Sequence, residues 1–150
     1  MRRSIVLGSV VVVAFAGVGC NQEPKARAAD ETVPVTVTIL CEGDSAVARI
    51  SPNSVNLPNS NTHATIAEWI LNPASTVDEV TIDEKTKDKW PFDTKPPYKA
   101  TKSKPGKPNG VKPHTSPKKY SYGYTITAYC TFNGESKPFI IDPNMIIIWT

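Results

Sequence analysis

The run Tyr120–Phe132, YSYGYTITAYCTF, puts Tyr120, Tyr122, Tyr124, Ile126, Ala128, Cys130 and Phe132 at every second position, a pattern that an extended strand turns into one apolar face. Asn133-Gly134 follows at once and accepts positive φ, so it predicts a hairpin turn into a further strand. Nearer the N-terminus, VPVTVTILC repeats the pattern through Val33, Val35, Val37, Ile39 and Cys41. Two such faces must be buried against one another or against similar elements, which predicts an all-β domain. AVARISPNSVNL with its Pro-Asn break, VDEVTI and PFIIDPNMIIIW supply the other strand signals. A polar turn is read at Glu42-Gly43-Asp44-Ser45. MIIIW reads as a strand buried on both faces. THATIAEWILN fits either a short helix capped by Asn61 or Thr62, or a strand with Trp69 and Leu71 facing in; the company it keeps favours the strand.

The chain begins MRRSIVLGSVVVVAFAGVGC, with two arginines ahead of an uncharged, largely apolar run from Ser4 to Gly19. This is the pattern of an export signal. The small residues before Cys20 resemble the lipobox of bacterial lipoproteins, although Gly17 stands where that box usually has a branched apolar residue. The resemblance implies a signal peptide over 1–19, diacylation of Cys20, and a protein exported to the periplasm or cell surface and anchored to the membrane. Cleavage after Ala14-Phe15-Ala16 and retention as an anchor are the alternatives. Residues 20–31 are polar and aperiodic, which suits a tether, and 32–150 is long enough for one domain with one core.

Three cysteines leave one odd. If Cys20 carries lipid, Cys41 and Cys130 remain, both on apolar strand faces, as a candidate disulfide in an oxidising compartment. Two buried free thiols are the alternative.

Between Lys95 and Lys119 the chain holds eight lysines, six prolines and no acid. They are Lys95, Lys99, Lys102, Lys104, Lys107, Lys112, Lys118 and Lys119. Composition predicts a long basic loop inserted between strands, extended and solvated. Without these lysines and without Arg2 and Arg3, the formal charge of +3 becomes −7, so the total conceals a basic arm on an acidic body. Ammonium groups on an extended chain suit attraction to anions. An anionic envelope polymer, an acidic protein partner and the protein's own acidic body are the candidates. An exported location and the single interleaved aromatic, Tyr98, argue against nucleic acid.

In strand order the pattern resembles the cupredoxin-like Greek-key β-sandwich: ISPNSVNLPN an early strand, EWIL the strand with a core Trp, and YSYGYTITAYC the Tyr-rich penultimate strand. The closer likeness is to exported bacterial members that lack copper ligands. Type-1 copper needs two imidazoles, a thiolate and a weak axial thioether. Cupredoxins draw the thiolate, one imidazole and the thioether from one short loop, yet fourteen residues without a His separate Cys130 from Met145. No cofactor is therefore expected, and Met145 reads as core. His63 and His114 are the residues left for the alternative, a periplasmic carrier of copper or another metal.

The remaining motifs carry little chemistry. Gly43-Asp44-Ser45 resembles the nucleophile block of GDS-type esterases, but no His follows Asp142 to complete it. Asp78, Glu79, Asp83, Glu84 and Asp88 alternate with lysines and lack the spacing of a calcium loop. The sequence thus points to a non-enzymatic binding or accessory module.

Overall fold

The computed structural model describes residues 26–86, 89–114 and 116–150. The expected signal peptide over 1–19 and Cys20 lie outside the described residues, as does Asp88 of the acidic cluster. The described residues form strands and no helix: β1 (Arg27–Ala28), β2 (Glu31–Glu42), β3 (Ser45–Ser51), β4 (Val55–Asn59), β5 (Thr65–Leu71), β6 (Glu79–Glu84), β7 (Tyr98–Thr101), β8 (Gly110–Val111), β9 (Lys118–Phe132), β10 (Glu135–Ile141) and β11 (Asn144–Trp149). One sheet has the order β4-β11-β9-β6-β7 with β10 also on β9, a second has the order β3-β2-β5, and β1 pairs with β8. The architecture is all-β and compatible with a β-sandwich. Its core joins Val35, Val37 and Ile39 of β2 and Trp69 and Leu71 of β5 to Tyr124, Ile126 and Ala128 of β9 and Met145 and Ile147 of β11.

Turn chemistry explains both tight hairpins. Asn133 (φ 51°) and Gly134 (φ 83°) are both left-handed, as a type I′ turn requires, and Glu135 pairs with Phe132 directly across it. In the β2–β3 hairpin only Gly43 (φ 57°) is left-handed, the pattern of a II′ turn. The period-two faces are those read from the sequence: Cys41 of β2 and Cys130 of β9 form a disulfide with a Cα separation of 5.7 Å. THATIAEWILN is the parallel partner of β2, with Trp69 and Leu71 fully buried.

The closing segment departs from expectation. Asp142-Pro143 divides it, so that β10 covers Ile126–Phe132 of β9 and β11 covers Lys118–Gly123. MIIIW is buried on one face only: Met145, Ile147 and Trp149 point in, while Ile146 and Ile148 remain partly exposed.

A larger correction concerns 95–119, which is not one unstructured loop. Tyr98–Thr101 pairs with β6, and Gly110–Val111 pairs with Arg27–Ala28. Tyr98, Ala100 and Val111 are buried, and Gly106 exchanges backbone hydrogen bonds of 2.9 Å with Trp69 in both directions. A Cβ at Gly106 would come within 3.0 Å of the Lys99 carbonyl, so glycine permits that approach. The physical reason is local: in YKAT the lysine alternates with Tyr98 and Ala100, and period two turns it outward. Composition averaged over the segment hides this. Arg27 and Ala28, assigned to the tether, likewise belong to the folded body, where the Arg27 guanidinium donates to the carbonyls of Asn61 and Thr62.

Burial has a titration consequence. The Tyr98 phenol is pushed well above the usual tyrosine range, chiefly by desolvation; the Trp90 indole N–H opposes the shift, and Asp93, Glu84 and Asp83 add to it. Tyr124 is also raised by burial, opposed by Trp69. The folded state thus holds these protons more tightly than the unfolded chain, whose tyrosines ionise near about pH 10. Their contribution to stability is complete below that pH and is lost as pH rises toward the folded values. Urea midpoints are expected to be flat at neutral pH and to fall above about pH 10, with tyrosinate absorbance rising in step with unfolding. Full ionisation of Tyr98 and Tyr124 in the still-folded protein would refute this.

Candidate functional site

β9 runs as a spine with β11 and then β10 along one edge and β6 on the other. β6 ends at Glu84, opposite Tyr124, and among the described residues the last backbone bond on its side runs from Lys85 N–H to the Gly123 carbonyl, 3.2 Å. Lys118–Tyr122 extends beyond it. A groove of about 490 Å³ opens there, lined by Thr86, Lys89, Trp90 and Tyr120–Gly123.

Aromatic side chains line one wall. Tyr120 and Tyr122 follow Tyr124 on the inward face of β9, but the core ends before them and leaves both half-buried. Their ring centroids lie 6.2 Å apart; His114 packs 4.7 Å from Tyr120 and 5.5 Å from Trp149, extending the row. Burial raises the Tyr122 phenol as well, with Tyr120 adding to the shift. Trp90 is fixed by its indole N–H donating to the Tyr98 hydroxyl at 2.8 Å; that hydroxyl in turn donates to the Thr94 carbonyl. Lys118 Nζ lies 5.4 Å over the Tyr120 ring, while Lys119 and Lys89 are exposed.

The eight lysines of the basic segment divide into groups. Three are turned onto the protein's own acids: Lys99 on Glu79 at 2.8 Å, Lys102 on Asp78 at 3.0 Å and Lys107 on Glu68 at 3.0 Å. Such surface pairs contribute at most about 1 kcal/mol each, so they set direction more than stability. Lys112 Nζ donates to the Trp90 carbonyl at 2.9 Å and braces the groove. Lys95, Lys104, Lys118 and Lys119 are exposed and make no ion pair among the described residues. Lys104 borders a broader, more open depression with Pro97, Tyr98 and Gly106.

The two histidines occupy separate settings. His63 Nε2 lies 3.1 Å from the Glu31 carboxylate, and His114 Nδ1 is engaged by the Ser116 backbone within its aromatic stack. Among the described residues no three His, Cys, Asp or Glu side chains gather as a metal-holding group. Ser45 donates to the Glu42 carbonyl across its turn, Met145 is fully buried, and Asp142 is paired with Lys85 at 2.9 Å.

Sequence reasoning placed Tyr120 and Tyr122 on a strand face but did not single out Trp90 or Lys89. The available signal was β9 itself, whose tyrosines continue the inward phase beyond Tyr124 toward adjacent lysines. No family model matches the chain, and no curated protein matches it.

Proposed function

We propose that this protein is an exported, non-enzymatic binding module, tethered to a membrane through lipid on Cys20, that docks an anionic partner at the mouth of β9. The carrying observation is the division of the lysines. Lys99, Lys102 and Lys107 are neutralised by Glu79, Asp78 and Glu68, whereas Lys89 lines the aromatic groove, Lys118 lies over the Tyr120 ring at its end, and Lys119 is exposed next to it on the other face of β9. Half-buried tyrosines give contact area at low entropic cost, and the ammonium groups add long-range attraction. In the finer fold reading, the strands form a cupredoxin-like Greek-key sandwich whose Cys130 serves the disulfide where a copper protein would use a thiolate ligand. The order of its strands and the buried Trp of β5 support that reading.

The test is binding of poly-L-glutamate by the full-length protein. Affinity is expected to fall steeply from low to physiological salt, and to fall roughly tenfold or more in Lys118→Glu/Lys119→Glu, because two attractions become repulsions. Salt-independent binding, or an undiminished affinity in the double variant, would refute docking at this site.

A further inference from the structure

The groove borders a strand edge whose backbone groups can be assigned. Lys85 bonds Gly123, and the register continues through Asp83 with Thr125 and Thr81 with Thr127, so these β9 residues direct their amides and carbonyls toward β6. Tyr124 points the other way, its N–H donating to the Pro143 carbonyl at 3.1 Å. Strict alternation then sends the N–H and C=O groups of Lys118, Tyr120 and Tyr122 toward β11. Those of Lys119 and Ser121 point to the β6 side, beyond the end of β6. Among the described residues no strand pairs with them there.

We infer that this edge accepts an acidic, extended segment of a protein partner as an added antiparallel or parallel strand, hydrogen-bonded to the backbone of Lys119 and Ser121. The inference rests on the docking reading above and specifies its partner. An open edge is a template for any strand, and lysines restrict which strands can use it. A second copy of this chain would bring its own Lys118 and Lys119 against these and be repelled. A strand rich in glutamate or aspartate would be attracted by the same charges, and its inward side chains would meet Tyr120, Tyr122 and Trp90. A backbone-free polyanion would satisfy the lysines and leave the amides unpaired.

The test uses the full chain in detergent with three probes: a synthetic peptide of alternating glutamate and valine, the same peptide N-methylated at alternate residues, and inorganic polyphosphate. Without ligand, the Lys119 and Ser121 amides are expected to exchange faster than those of Tyr120 and Tyr122, which face β11. The unmethylated peptide should slow both by roughly tenfold or more, the scale of one hydrogen bond gained, while polyphosphate should not. Ser121→Pro removes an edge-facing N–H without touching the β11 ladder and should weaken peptide binding by a similar factor. If that variant fails to fold, the exchange measurement on wild type decides.

Equal binding of all three probes with unchanged exchange, but with loss of affinity in Lys118→Glu/Lys119→Glu, would overturn strand addition and leave electrostatic docking standing. Peptide binding indifferent to that double variant would overturn both. Slowing of the same amides by protein concentration alone would identify a second copy as the occupant and refute the acidic partner.

Discussion

Replacing Cys41 and Cys130 together by alanine is expected to lower the unfolding free energy by about 2–5 kcal/mol, enough to leave a domain of this size marginal. The two residues lie 89 positions apart, so the bond closes most of the folded body into one loop. In the chain-entropy picture, opening so long a loop releases roughly 4–5 kcal/mol of restriction from the denatured chain. Little should change in the folded state. The cysteines sit on strands of different sheets, and the neighbouring hairpin tips are also joined by Asn133 Nδ2 donating to Asp44 Oδ1 at 3.0 Å. The variant should therefore keep its β-rich circular dichroism, unfold at lower urea, and show a larger m-value because its denatured state expands. A loss below about 1 kcal/mol would show that the bond adds little to the packing already present.

Trp69→Ala is expected to cost about 3–5 kcal/mol. Trp69 is fully buried on β5 and spans to the opposite sheet, stacking on Tyr98 at 5.8 Å and meeting Tyr124 edge-on at 5.4 Å. Its removal leaves a void that rigid β-strands cannot close, and it loosens Tyr98, on which the Trp90 indole depends. The indole N–H of Trp69 lies near the Tyr124 hydroxyl, but neither atom makes a hydrogen bond of good geometry. Trp69→Phe removes that buried donor while keeping most of the ring, so its cost should be far smaller, roughly 1 kcal/mol. Urea denaturation of both variants measures the difference. If the two lose equal stability, volume is not what Trp69 contributes.

Features with a short local period were legible in advance. Cys41 and Cys130 could be phased from their own strands, and Asn133-Gly134 from its dipeptide, because period two and positive φ are written in consecutive residues. Trp69 was ambiguous over ten residues, and only its parallel partner β2 makes it a strand. Composition misleads over the basic segment because eight lysines dominate any average, while Tyr98 and Ala100 need only four residues to form a strand. The groove could not be read locally at all. It exists because β6 ends at Glu84 while β9 extends back to Lys118, a mismatch in length between partners distant in sequence. Nothing in either strand alone encodes that difference.

If Cys20 carries the proposed lipid, the pairing of Arg27 and Ala28 with β8 also bounds the length of the leash. Counting every residue from Cys20 to Thr32 would let the body stand as far as about 40 Å from a lipid anchor, at the full extension of a polypeptide. With Arg27 latched to Asn61 and Thr62, only the stretch up to Ala26 remains, and the limit drops to roughly 20 Å. A lipid on Cys20 would then hold this domain against the headgroups. Any partner reaching the β9 edge would have to be at home within a protein's width of the bilayer.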